Sequence, residues 1–514
     1  MNFNARGPYF ILGIVLLWRV SLLVFTAQPI PANDAFGYDG AVVHYLQTGH
    51  YFNPPLALVF PISGQQVFSM YPPGYQAVLL PWMETFGTSV ISAMALHLVL
   101  FALAAWLTVV MVQKYFPSGG GYALAAWLLF GFTFGDRPED LAYVFGLASL
   151  WLVLRQISNI NKSGANAGGI VVLLLLTLYT SPIPGAYFFG VGFLASGMAW
   201  CRQRRAVLII PFVVAAAAFV FITWLIAWKE PLWWAGFMES SRQQSVVTSG
   251  LHAPHLLDLM KLVRTVPVFL LALLMLPWIV ARRRNLREFA GGNEAWFYLL
   301  AGIMVAGWGL LLADLTLLAA NYVTYVLFTQ VMLAAGLIAL APKIFPGREK
   351  RLRCVLVFCV VLVSVRAIGM TTWGAACAVK NSYWRTQETL HSELQPFTKT
   401  NTPVLVSSAY LYSAAEFKVG NAIDCGWYFD HAHWMNNAEM NALIRLKPAK
   451  LVVTQFDYYR SFAPLVEELR ARPELVAVTV RDQAAVPTPD SIPPLRRVVQ
   501  HISWAPVIVD LDWK

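Results

Sequence analysis

The sequence predicts a polytopic α-helical membrane protein of about eleven transmembrane helices, followed by a small C-terminal α/β domain outside the membrane. Three observations carry that expectation. Hydrophobic residues make up 58% of the 514 and charged residues only 12%, where a soluble chain carries about a quarter charged. Apolar runs of roughly 17–25 residues, each long enough to cross a bilayer, recur through the first 370 positions. Beyond them the pattern changes to short β-branched runs alternating with amphipathic helical stretches.

The spans fall at about 8–27, 89–112, 120–135, 139–156, 168–181, 184–200, 206–228, 265–281, 296–313, 321–341 and 353–370. The fifth and sixth read as a pair broken at SPIPG (181–185). The first run is longer than the apolar region of a signal peptide and contains Arg19, so it reads as an uncleaved span. Arg19 and Arg366 lie within spans, where a charge is costly and has a partner or a task.

Charge then orients the spans. The clusters CRQRR (201–205), ARRRNLR (281–287) and GREKRLR (347–353) fall on one side, together with Arg6, Lys114 and Lys162. That asymmetry marks the cytoplasmic side. The loop 28–88 holds no Lys or Arg and therefore faces out, while residues 371–514 carry fourteen basic and fourteen acidic side chains. The net charge of +10 is a topology signal, and it excludes nucleic acid as the partner it would otherwise suggest. The predicted location is the inner (plasma) membrane, with the N-terminus cytoplasmic.

The organisation is a transmembrane module, 1–370, with outward loops 28–88 and 229–264, and an extracytoplasmic α/β domain, 371–514. In the latter, VLVSS (404–408), KLVVTQ (450–455) and ELVAVTV (474–480) read as strands, with helices at about 436–446 and 458–471. It has no glycine-rich phosphate fingerprint. Cys377 and Cys425 both fall on the outer side, and a disulfide between them is left open by the sequence. HAH (431–433) offers two His at i, i+2, too little for zinc, and reads as an exposed loop.

The first outward loop opens with NDAFGYDGAVVHYLQTGHY (33–51). Tyr38, Ala41, Val42, Tyr45 and Leu46 fall at helical spacing, Asn33 suits a cap and Gly49 a terminus. A second amphipathic helix is expected from Gly74 to Phe86 after the YPP turn. With no basic residue, both would lie along the outer membrane surface. Asp34 sits in the first turn, where the helix dipole favours its charged form, on the same face as Tyr38. Asp39 points elsewhere around the helix and reads as a solvated surface charge or a second carboxylate of the site.

The spacing Asp34, Tyr38, Leu46, Gly49, Tyr51, followed by YPPGY (71–75) and LLPW (79–82), resembles the first periplasmic loop of the C-type glycosyltransferase superfamily, to which bacterial aminoarabinose transferases and protein O-mannosyltransferases belong. FGDRPEDLA (134–142) resembles the family's Arg-Pro-acidic turn into a helix. Two positions depart: Ala35 stands where many relatives carry Glu, and Asn321-Tyr322 where relatives often carry Arg-Tyr. The resemblance implies transfer of a sugar from a polyprenyl-phosphate carrier to an extracytoplasmic lipid, glycan or protein, with Asp34 as general base.

The chemistry explains the residue types. A carboxylate takes a proton from the acceptor hydroxyl, and an arginine fork holds the departing phosphate. Arg137, Glu139 and Asp140 are candidates to position phosphate, acceptor or a metal. The convergence of Asp34, Glu139 and Asp140 is compatible with a divalent cation, though nothing in the sequence demands one. Arg242, His255, Lys261, Arg264 and Arg366 are the other outward cations available to phosphate; contact with lipid headgroups is their plainer reading. Two rivals stay open: a ligase or polymerase using lipid-diphosphate donors, and a lipid or solute transporter, against which the absence of an inverted repeat counts.

Overall fold

The computed structural model describes residues 3–31, 35–116, 137–158, 163–248, 262–263, 265–281, 294–317, 323–344, 346–347, 350–352, 354–356, 358–359, 375–426, 437–484 and 503–514. Helix α1 (Phe3–Thr26) leads into the first loop, which forms α2 (Ala35–Thr48), α3 (Pro61–Gln65) and α4 (Gly74–Phe86). Then come α5 (Val90–Tyr115), α6 (Glu139–Ser158), α7 (Ser163–Thr180), α8 (Pro182–Gln203), α9 (Ile210–Lys229) and α10 (Pro231–Thr248). The membrane portion closes with α11 (Pro267–Ala281), α12 (Ala295–Leu317) and α13 (Leu327–Ile344). Among the described residues, six helices are long and apolar enough to cross a membrane, and three more are shorter and apolar. This is a multi-pass membrane protein. The expected span 120–135 and most of 353–370 lie outside the described residues.

The break expected at SPIPG is present: α7 stops at Thr180, Ser181 is extended, and Pro182 opens α8. Proline favours a first-turn position because it lacks the N–H that would be unpaired there. The bundle packs α6 on α7 and α8, and α8 on α12. Gly302 lets α12 approach α8 closely, since a Cβ there would lie 2.5 Å from the Val191 carbonyl oxygen. Small residues at such crossings are how membrane helices gain packing energy without a hydrophobic driving force. Among the six described long apolar helices α9 is the least buried, and it exposes Val220, Phe221, Trp224 and Trp228, a surface suited to lipid.

The segment after residue 375 folds around a five-stranded sheet of order β2-β1-β3-β5-β4. The strands are β1 (Val404–Val406), β2 (Ala422–Asp424), β3 (Lys450–Thr454), β4 (Leu475–Asp482) and β5 (Pro506–Trp513). β1 pairs in parallel with β2 and β3, and β5 runs antiparallel between β3 and β4. Helices α14 (Tyr383–Leu394), α15 (Ser408–Glu416), α16 (Asn437–Leu446) and α17 (Ala463–Arg470) accompany it. Before α17 the chain widens to π geometry over Tyr458–Phe462. Leu405, Val453, Val507 and Val509 form a core with Leu443, Leu465 and Val466. Cys377 and Cys425 are free thiols, so the disulfide left open by the sequence is not formed.

The segment carrying this sheet is docked on the start of the chain. Trp504, fully buried, donates from Nε1 to the Ala27 carbonyl at 3.0 Å. Trp384 Nε1 donates to Val24 O at 3.1 Å. The segments 28–88 and 229–264 also meet: a Cβ on Gly236 of α10 would overlap Ser69 Oγ, and Ile62 N donates to Glu239 Oε2 at 3.3 Å. That α10 is a helix at all goes beyond what the sequence reading gave for 229–264.

Candidate active site

Local constraints build the site before any charge enters it. Asn53, fully buried, donates from Nδ2 to the carbonyls of Phe36 (3.0 Å) and Gly37 (3.3 Å), bracing the first turn of α2. Gly40 makes room for that brace, because a Cβ there would lie 2.5 Å from Asn53 Oδ1. α2 ends as expected at Gly49, whose φ of +77° suits glycine. The YPPGY turn docks on the break between α7 and α8, where a Cβ on Gly74 would lie 2.7 Å from the Tyr179 carbonyl oxygen. At the third contact, Ala142 N–H reaches Pro138 O at 3.3 Å and Asp140 N–H reaches Arg137 O at 3.1 Å, so α6 starts with two carboxylates in its first turn. The helix dipole favours them there.

Around these turns gathers a cluster of phenols, carboxylates and one guanidinium. Arg137 Nη2 donates to Tyr38 OH at 3.0 Å, with the guanidinium carbon 5.7 Å from the Tyr38 ring centroid. Tyr38 meets Tyr71 edge-on at 4.8 Å. The hydroxyls of Tyr71 and Tyr325 both donate to Glu139 Oε1, at 3.1 and 3.0 Å. Arg137 Nε lies 3.9 Å from Glu139 Oε2, the carboxylate being buried while the Arg137 side chain is 37% exposed. A guanidinium fixed by a phenol and a carboxylate is pre-oriented, and its planar fork suits an anion's oxygens.

A second chain of polar groups runs beneath the first. Asp140 Oδ2 lies 2.9 Å from His97 Nδ1, and His97 Nε2 lies 2.9 Å from Tyr75 OH. Tyr75 also hydrogen-bonds Asp39, whose Oδ2 accepts from Tyr412 OH at 2.6 Å. Asp39 is only 1% exposed. The solvated-charge reading of Asp39 is therefore corrected: this face of the loop helix is covered by residues 408–412, not by water. Burial pushes its carboxyl up to about 6, against the lowering effects of His97, Tyr412 and Tyr75. Because Asp140 accepts from Nδ1–H, whether Nε2 takes or gives a proton depends on where Tyr75 places its single hydroxyl hydrogen.

The structure thus brings together Tyr38, Asp39, Arg137, Glu139 and Asp140. Asp34, His255, Lys261, Arg264, Arg366 and HAH (431–433) lie outside the described residues. Arg242 is exposed on α10, three residues beyond Glu239. Arg19 is buried, its guanidinium carbon 4.8 Å from the Trp18 ring centroid. Among the described residues no group of three or more His, Cys, Asp or Glu side chains is placed to hold a metal ion. Sequence reasoning missed Tyr75, His97, Tyr325 and Tyr412 as site residues. A polar His97 inside an apolar run was the one available signal; Tyr412 gave none.

Fold and site define a membrane-embedded helical protein with a polar cluster where its first loop meets both the bundle and a sheet domain. No protein-family model matches the chain, and no curated protein sequence matches it. Among solved structures it is similar to an Archaeoglobus fulgidus oligosaccharyltransferase in complex with zinc and sulfate, at 12% identity over 89% of this chain and 69% of that one, with a TM-score of 0.48. It is also similar to ArnT from Cupriavidus metallidurans bound to undecaprenyl phosphate, at 11% identity over 97% of this chain and 98% of that one, with a TM-score of 0.46. The apo state of the same ArnT gives 11% identity, 96% and 97% coverage and a TM-score of 0.45. The functional reading rests on the residues themselves.

Proposed function

We propose that this protein transfers a sugar from a polyprenyl-phosphate carrier to a hydroxyl of an extracytoplasmic acceptor, as the resemblance of its first loop implies. The observation that carries the reading is Arg137: a partly exposed side chain whose guanidinium is fixed by Tyr38 OH beside the buried carboxylate of Glu139. In this scheme it grips the donor phosphate. The acceptor oxygen attacks the anomeric carbon, the bond from that carbon to the phosphate oxygen breaks, and Asp34 takes the hydroxyl proton. The polyprenyl phosphate leaves with its charge on Arg137, and a single displacement inverts the anomeric centre. Asp39, buried where α2 meets α15, acts by positioning rather than by touching substrate. Arg242, His255, Lys261, Arg264 and Arg366 are the further cations proposed for the phosphate or for lipid headgroups.

The same reading places the protein in the inner membrane with eleven spans, the N-terminus cytoplasmic and residues 371–514 outside as a separate domain. No nucleotide sugar is available there, so a lipid-carried donor fits. The test is native mass spectrometry of the gently solubilised protein, wild type beside Asp34→Asn and Arg137→Ala. A polyprenyl monophosphate bound to wild type, its glycosylated form enriched in Asp34→Asn and lost from Arg137→Ala, is the expected result. A lipid diphosphate in both wild type and Asp34→Asn would replace this reading with a ligase.

A further inference from the structure

The segment after residue 375 holds the loop helix at several points. α15 meets α2 three times. Ser408 Oγ accepts from Phe36 N–H at 2.8 Å, Tyr412 OH donates to Asp39 Oδ2 at 2.6 Å, and Ala415 O accepts from Gln47 Nε2 at 3.2 Å. The Tyr412 ring also meets Phe36 edge-on, with centroids 4.9 Å apart. Between Phe36 and Asp39 in the chain stands Tyr38, whose hydroxyl receives Arg137. A short hydrogen bond from a hydroxyl to a carboxylate is among the stronger ones, and in a buried setting it fixes both partners.

We propose that Tyr412 is a positioning residue for the transfer reaction: by anchoring Asp39, its hydroxyl sets the turn of α2 on which Tyr38 holds Arg137. The inference rests on the glycosyl-transfer reading and assigns the C-terminal domain a working part in it. Tyr412 touches neither sugar nor phosphate and acts through Asp39 and Tyr38. The groups facing Asp39 are Tyr412 from α15, Tyr75 from α4 and His97 from α5. Deleting the Tyr412 hydroxyl removes a donor to the charged carboxylate, so Asp39 would then take up its proton at higher pH.

The test uses the full-length protein with Tyr412→Phe, which keeps the ring and its edge contact. Tyr383→Phe is the control, since its hydroxyl bonds Ser413 inside the same domain at 3.4 Å. Hydrogen exchange of residues 35–48 should rise about fivefold in Tyr412→Phe, with strands 404–406 and 450–454 unchanged and Tyr383→Phe at the wild-type level. Sugar transfer in Tyr412→Phe should lose about tenfold in kcat, and the acid limb of its pH profile should move to higher pH. Wild-type exchange over 35–48 in Tyr412→Phe would overturn the proposal whatever the protein's activity. Raised exchange with unchanged kcat and acid limb would overturn it as well, leaving Tyr412 merely structural. If exchange rises but the wild type transfers no sugar, the transfer reading fails and takes this role with it, while the anchor itself stands.

Discussion

Burial of Asp39 gives the protein a pH signature of its own. The folded chain holds this proton up to about pH 6, against a usual carboxyl value of 3.8, so the native state binds it more tightly than the unfolded one. The stability this contributes is fully present below about pH 4 and is lost as the pH rises from there to about 6, a linkage of roughly 3 kcal/mol. Asp39→Asn cannot titrate and should lack that slope. Thermal unfolding followed by tryptophan fluorescence between pH 4 and 7 would show it, and parallel curves for wild type and variant would refute the assignment. At this scale the sequence named half of the site. Tyr38, Arg137, Glu139 and Asp140 were legible because short spacings place them on a helix face or at a helix start. Tyr412 was not: it is 373 residues from the carboxylate it binds, and no local pattern encodes such a meeting. For the same reason Asp39 looked solvated, since its cover comes from a distant segment.

The turn at YPPGY ties the first loop to the bundle, and its tightness makes a prediction. Gly74→Ala forces a Cβ to within 2.7 Å of the Tyr179 carbonyl oxygen, a backbone atom that cannot rotate away. A loss of about 1–3 kcal/mol is expected, as for other overpacked sites. Gly168→Ala, exposed on α7 with nothing within 4 Å of its Cβ, should instead stabilise by up to about 1 kcal/mol through helix propensity. Unfolding midpoints in detergent measure both, and equal behaviour of the two variants would contradict the packing described. Long apolar helices and the break at Ser181 were legible because length and proline announce them. The three-residue strand Ala422–Asp424 was too short to show a period. In Pro506–Trp513 the alternation Val509-Asp510-Leu511-Asp512-Trp513 is present, but only after the continuous apolar run Val507–Val509, and the strand was not read from it.

At the scale of the whole molecule, the prediction concerns sidedness. With the other cysteines replaced, a membrane-impermeant maleimide should label Cys377 on intact cells, and Cys201 only after permeabilisation. The reverse pattern would invert the proposed topology. The charge clusters are what carries this expected orientation, whereas the docking of the sheet on residues 24–47 has no local pattern to announce it, because it depends on surfaces that exist only once both parts have folded.

That docking joins Trp504 to Ala27 across 477 residues, and strand Pro506–Trp513 lies inside its sheet rather than at the rim. A ribosome releases residue 27 long before residue 513. On the proposed topology, the Trp504 contact and the strand beside it form only after the last residues have been translated and exported. A chain stalled partway through export would carry an incomplete site. On the proposed function, a chain lacking its last residues would lack the Trp504 contact and the strand beside it.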